Sequence, residues 1–238
     1  MSLLELQRVA KRYRDAQLER VVLREVSLQI GSGELTVVWG VRGCGRSTLL
    51  RVAAGVEAPD EGVVSFEGRD LTRHGEEILG AGVGYCHKPL QGGSQRVEEL
   101  VIMPLLAGGV SRALARSRAS AALERAGVAS CATVRVSALD TAEVIRVAIA
   151  RVLAHDPRLL VIDDPIQGVD MLARDGILAL LRSLADDGMA VLASTSDPMG
   201  LSGADRTLSL SDGDLRGPPP TELAPVLELR PRARPASA

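Results

Sequence analysis

Residues 40 to 48 read Gly40-Val41-Arg42-Gly43-Cys44-Gly45-Arg46-Ser47-Thr48, between an apolar run, Leu35 to Trp39, and a stretch of helical composition that begins at Ser47. No other segment narrows the possible folds so sharply. Glycines at this spacing let successive backbone N–H groups turn toward one anion, and the positive end of the following helix adds to their pull, so the segment predicts strand, phosphate-cradling loop and helix in that order. The loop is complete except at Arg46, where lysine is expected. Lysine places a compact charge on the β and γ phosphates, whereas arginine brings a larger planar fork. The chain is therefore expected to hold a nucleotide, and cleavage is a separate question.

The bulk composition limits what can surround that loop. At 238 residues and 46% hydrophobic content, the chain has the size of one to two domains of roughly 100–200 residues and can bury a sizeable core. A net charge of −2, with no basic stripe interleaved with aromatics, excludes nucleic acid as the expected partner. Cys44, Cys86 and Cys131 are widely spaced and form no CxxC pair, which argues against a disulfide framework or a zinc site and fits a reducing cytoplasm. His74, His87 and His155 stand singly without ligand spacing, and no chemistry is assigned to them. The first residues lack the pattern of a leader, and the longest apolar run, Leu100 to Val110, is broken by Pro104 and two glycines. Any membrane role is expected to come through a partner.

Apolar alternation in Leu3 to Val9 and Val21 to Ile30 predicts two antiparallel strands ahead of the buried strand that ends at Trp39. Residues 62 to 66 and 83 to 86 predict further strands. Glu98 to Leu106 and Ser111 to Ala126 read as helices separated at Gly108-Gly109, and this middle stretch reads as a helical subdomain. Beyond it come a helix over Asp140 to Ala154, a buried strand at Leu159 to Asp163, an amphipathic helix over Asp170 to Asp187 stopped by Gly188, and a buried strand at Ala190 to Thr195. Strands alternating with helices imply a parallel sheet. From Gly217 the chain turns to proline and arginine and is expected to be a flexible tail.

Taken in order, these motifs resemble the ABC-type ATPases, the nucleotide-binding subunits of transporters, from about Leu3 to Leu215. Tyr13 in "KRYRD" is similar to the aromatic that stacks on adenine, and "VGYCHKPL" stands at the Q-loop. "RVAIARVLAHDPRLLVIDDPIQGVD" runs from the signature helix through the D-loop, with Asp170 as the D-loop aspartate, and "ASTSDP" lies at the switch-histidine position. Spacing behind the Q-loop most resembles the lipoprotein-release and macrolide-export branch. The resemblance implies an α/β fold: a P-loop NTPase with a mostly parallel core sheet, an antiparallel β subdomain and an inserted α-helical subdomain. Residues 1–216 would form this domain, with the helical part at about 88–154 and the tail at 217–238. It further implies ATP and Mg²⁺ as ligands, an integral-membrane permease as partner, and a second nucleotide-binding subunit, the same or different. The chain would then sit in the cytoplasm, peripheral on the inner face of the cell membrane.

Departures from the family pattern gather where the γ-phosphate would lie. Nucleotide contacts are expected from Tyr13 and from Gly40, Val41, Arg42, Gly43, Cys44, Gly45, Arg46, Ser47 and Thr48, with Ser47 and Asp163 as the magnesium pair. Arg46 can still pair with phosphate oxygens but crowds a pocket shaped for an ammonium; alternatively it follows a general loss of lysine, since only Lys11 and Lys88 remain among 28 basic residues. Asp164 stands one methylene short of the glutamate that polarises the attacking water, and a base displaced by about an ångström loses on the order of a hundredfold in rate. Its other reading is a conservative exchange with residual activity. Lys88 replaces the Q-loop glutamine, either as a counter-charge to γ-phosphate or as an exposed lysine pointing away. Ser196 replaces the switch histidine and reaches much less far, or is a plain strand-end hydroxyl. Cys44 is either a small residue filling the loop or a thiol at a helix N-terminus.

Leu139-Asp140-Thr141-Ala142-Glu143 stands where the family has Leu-Ser-Gly-Gly-Gln, the turn that meets the opposite subunit's phosphate. Asp140 at the N-cap and Glu143 three residues on predict a capping box, which would fill the positive helix end with the chain's own carboxylates. The resulting expectation is a nucleotide-binding transporter subunit with weak or absent hydrolysis. A functional but slow transport ATPase is the alternative.

Overall fold

A computed structural model describes residues 2–15, 18–71, 82–86 and 93–218. Two sheets carry the chain. The first is antiparallel and built on β1 (Ser2–Asp15) and β2 (Leu18–Gly31), with β4 (Glu61–Phe66) and β5 (Arg69–Asp70) added beyond β1. Leu4 and Leu6 of one strand and Leu28 and Ile30 of the other turn inward and are buried, as period-2 alternation requires, while Leu23 is buried out of phase beyond the irregularity at Glu25, whose φ is +45°. Both long strands outrun their apolar alternation. Pairing continues through Tyr13 opposite Arg20, because the backbone ladder needs no apolar side chains and because Lys11 and Arg12 find carboxylates at Asp60 and Glu61.

The second sheet is mostly parallel, in the order β10-β9-β3-β8-β7-β6. It comprises β3 (Leu35–Trp39), β6 (Val83–Cys86), β7 (Leu159–Ile162), β8 (Ala190–Thr195), β9 (Arg206–Ser211) and an antiparallel edge strand, β10 (Asp214–Arg216). β7 and β8 are buried along their whole length, as expected of strands covered on both faces. α1 (Arg46–Ala53) covers one face through Leu49, Leu50 and Val52, within a core shared with the antiparallel sheet. The other face belongs to a core that joins the remaining helices: α2 (Val97–Ala107), α3 (Arg112–Arg125), α4 (Thr141–Leu153) and α5 (Met171–Asp186).

Topology brings the reactive positions together. In parallel strands every carboxyl end points the same way, and the crevice beyond those ends is where open α/β sheets bind ligands. Trp39 lies opposite Thr195, and Ile162 opposite Ala193, so the segments following β3, β8 and β7 leave the sheet side by side. α2, α3 and α4 all lie in the connection between β6 and β7, two adjacent parallel strands. All three are thus carried by one crossover between neighbouring strands. Among the described residues, no helix is long and apolar enough to cross a membrane.

Candidate functional site

The loop that follows β3 bends as its glycines permit. Gly43 and Gly45 have φ of +84° and +110°, in the region that L side chains rarely adopt. At Gly45 a Cβ would also lie 2.8 Å from the carbonyl oxygen of Val22, so that position admits only glycine. Gly40 N–H donates to Thr195 O at 3.2 Å, which fastens the start of the loop to β8. α1 begins at Gly45 with no side-chain cap and no acidic residue in its first turn. Its leading N–H groups are left for an anion.

A cavity of about 720 Å³ opens along this loop, lined by Arg42, Gly43, Gly45, Arg46, Ser47 and Thr48 together with Tyr13, Arg20 and Val22. Asp163 and Asp164 line it as well, as do Ile145 and Ala148 of α4. The volume suits a mononucleotide. Ser47 and Asp163 supply a hydroxyl and a carboxylate to the same space, hard oxygen donors of the kind Mg²⁺ takes alongside phosphate oxygens. The donor set therefore fits a magnesium nucleotide.

Three positions that look independent in the sequence are bonded to one another. Arg46 Nη1 lies 3.3 Å from Asp164 Oδ2, with the two side chains only 10% and 12% exposed. Ser196 Oγ donates to the same carboxylate oxygen at 2.9 Å. Asp164 is itself pinned: its N–H donates to Ser194 Oγ at 3.1 Å, and its φ of +46° is one that aspartate tolerates better than most residues. Ser194 Oγ in turn donates to Asp163 Oδ1 at 2.6 Å. Fully buried in β8, Ser194 joins both aspartates, and the sequence reading assigned it nothing. A serine inside the apolar run Ala190 to Thr195 was the available signal, since a buried hydroxyl needs a partner.

Tyr13 is anchored by its hydroxyl. It donates to Glu57, 2.7 Å from Oε1, and accepts from Arg51 Nη2 at 2.9 Å, while Lys11 Nζ lies over the ring 5.8 Å from its centroid. Burial would raise the Glu57 carboxyl, but hydrogen bonds from Arg51 and Tyr13 and the nearby cations outweigh it and hold it below the usual range. Opposite Tyr13 across the strand pair, Arg20 donates to Gly43 O at 2.8 Å. Arg20, Arg51 and Glu57 had no part in the sequence reading, because contacts between a strand and a distant loop leave no periodic trace. Deeper in, burial and then the charge of Asp163 push Tyr85 up to about 12, and burial pushes the Cys86 thiol up to about 12.

The Asp140 helix starts as predicted. Asp140 Oδ1 accepts from Glu143 N–H at 2.8 Å, and Glu143 Oε2 accepts from Asp140 N–H at 3.0 Å, the reciprocal pair of a capping box. Cys131 adds a third tie, its Sγ donating to Glu143 Oε1 at 3.4 Å. Leu139, Thr141 and Ala142 complete this turn, which contributes nothing to the cavity wall; Ile145 and Ala148 line it one and two turns on. Asp170 caps α5 by accepting from Ala173 N–H at 2.9 Å, and Arg174 pairs with Asp197 at 2.9 Å just past Ser196. Cys44, half-buried, sits in the loop with its N–H on Val41 O. Lys88 lies outside the described residues, as do His74, His87 and most of the tail from Gly217.

Comparison with known proteins bears on this arrangement. A family model described as ABC transporter matches residues 23–167. The lipoprotein-releasing system ATP-binding protein LolD of Roseobacter denitrificans is 34% identical over 222 residues, covering 90% of this chain and 97% of LolD. The macrolide export ATP-binding/permease protein MacB of Nitrobacter winogradskyi is 30% identical over 237 residues, and the chain spans only 37% of MacB's length. Among solved structures, the dimeric bacterial ABC transporter cassette MJ0796 superposes with a TM-score of 0.80 at 26% identity, covering 90% of this chain and 98% of that one. The same cassette is also known as a dimer in a post-hydrolysis state with ADP and Pi bound, again at a TM-score of 0.80.

Proposed function

The chain belongs to the ABC transporter family, and we propose that within it the chain is a subunit that binds ATP with Mg²⁺ but hydrolyses it weakly or not at all. One observation carries this reading. Arg46, Asp164 and Ser196, which stand where γ-phosphate chemistry needs a lysine, a glutamate and a histidine, bond to each other through one carboxylate oxygen. A carboxylate already holding a guanidinium and a hydroxyl is a poor base for a water molecule, and a guanidinium already paired is a poor electrophile.

The other roles follow from the elements that present them. Loop N–H groups other than those of Gly40 and Cys44, which bond within the protein, hold the phosphates at the uncapped end of α1, and Arg42 adds charge to the cavity lining. Ser47 and Asp163 would hold Mg²⁺, which would supply positive charge against the phosphate oxygens. Tyr13, fixed by Glu57 and Arg51, offers a ring in the cavity lining for the base. Asp140 to Glu143 would present carboxylates to a phosphate from another subunit, where repulsion replaces the usual grip.

Residues 1–216 form the nucleotide-binding domain in this reading, with about 88–154 as a helical subdomain; the segment from 219 onward lies outside the described residues. LolD's name, and the fusion of ATP-binding and permease functions in MacB's, support a permease partner on the inner face of the membrane. The dimeric cassette supports a second nucleotide-binding subunit. Mg-ATP turnover of the purified chain, alone and with its co-purified permease, is the test: the expected rate is far below about 1 s⁻¹, and a rate in that usual enzyme range or above would sink the proposal. Restoring Arg46→Lys, Asp164→Glu and Ser196→His together should raise turnover only modestly while the Asp140 cap persists.

A further inference from the structure

We infer that the site selects nucleoside diphosphates over triphosphates, with the Asp164 carboxylate standing in the place of a third phosphate. The inference rests on the nucleotide-holding role proposed above and goes beyond it by naming the ligand's chain length.

Two donors that a third phosphate would need, the Arg46 guanidinium and the Ser196 hydroxyl, converge on Asp164 Oδ2 at 3.3 and 2.9 Å. An anion held between a cation and a hydroxyl is what a terminal phosphate would itself be. Asp164 is held in place at both ends, its backbone N–H by Ser194 and its carboxylate by Arg46 and Ser196, with only 12% of the side chain exposed. A triphosphate must therefore break the buried pair or leave its last phosphate against a carboxylate. A diphosphate meets no such conflict. The free N–H groups of the loop, the uncapped start of α1 and Arg42 serve it without displacing the Asp164 carboxylate, which keeps Arg46 as its partner.

The test is calorimetric titration of the full chain with Mg-ADP and with the non-hydrolysable Mg-AMP-PNP, in wild type, Asp164→Asn and Asp164→Gly. Both substitutions suit the positive φ at this position, so at least one is expected to fold. Wild type should bind ADP at least about tenfold more tightly than AMP-PNP, and removing the carboxylate should shrink that ratio about tenfold through gained AMP-PNP affinity. Equal binding of the two nucleotides by wild type, or an unchanged ratio in the variants, overturns the selectivity and leaves nucleotide holding intact. Binding of neither below about 1 mM overturns both.

Discussion

Arg46 and Asp164, 118 residues apart in sequence, form an ion pair at 3.3 Å in which both side chains are almost wholly removed from solvent. Measured against the family pattern, one of them is longer than expected and the other is shorter by a methylene. The two changes complement each other: the guanidinium extends toward the carboxylate that has drawn back. Neither position is then a lone defect. Removing either partner leaves a buried charge without its counter-ion, which costs more than losing an exposed pair.

The capped α4 gives a first stability prediction. Asp140→Ala removes the acceptor for Glu143 N–H and should destabilise the chain by about 1 kcal/mol, lowering Tm by roughly 2–4 °C. Asp140→Ser, which can still cap, should recover most of it. Calorimetric melting of the three proteins decides this, and an alanine variant as stable as wild type would remove the cap from the argument.

The phosphate loop predicts unequal tolerance at two glycines. Gly43→Ala meets open space and suffers only its left-handed φ of +84°, for about 1 kcal/mol. Gly45→Ala adds a methyl 2.8 Å from both Val22 O and Val22 Cγ1 at φ +110°, and should cost about 2–3 kcal/mol and abolish nucleotide binding. Urea midpoints for both variants would show it. Equal losses would mean that the loop relaxes around Gly45.

Thiol chemistry offers a probe of the loop. Burial pushes Cys86 up to about 12, and burial together with its bond to Glu143 raises Cys131, so both stay protonated and covered at pH 8. Maleimide should therefore add first to Cys44, and Mg-ADP at ten times its Kd should slow that addition about tenfold. Peptide mass mapping reads both outcomes; first labelling at Cys86 would contradict the packing around the cavity.

Acid should erase the contribution of the Tyr13 anchor. Because the Glu57 carboxyl is held below its unfolded value, its stabilisation is complete above that value, about 4.3, and disappears as pH falls through the folded one. Glu57→Gln should be less stable than wild type by about 1 kcal/mol at pH 7, with the gap closing as acid protonates the folded carboxyl. Urea unfolding across that range gives the answer, and a gap that widens toward acid would reverse the sign of the shift.

Much of the fold was legible along the chain. Strand bounds at Leu35–Trp39 and Ala190–Thr195 coincide with expectation, since buried parallel strands read as short, mainly apolar runs in which Thr36, Ser194 and Thr195 are the polar exceptions. The helices on either side of Gly108-Gly109 also fall where composition and breakers put them, although α2 carries Pro104 through its last turn. The β1–β2 pair runs further than alternation predicts at the end where Asp15 pairs with Leu18, because ladder pairing there is supported by ions and not by alternation.

Local chemistry was decided locally. Asp140 and Glu143 lie one helical turn apart, and the loop's glycines set their own φ, so the capping box and the phosphate cradle need nothing beyond neighbours in sequence. The union of Arg46, Asp164 and Ser196 was decided only in three dimensions. Each follows a different strand, and nothing in a linear chain states that β3, β8 and β7 lie adjacent and parallel. Once they do, their carboxyl ends deliver three separate side chains to one crevice, where low exposure makes an opposite charge and a hydroxyl the necessary company for a carboxylate.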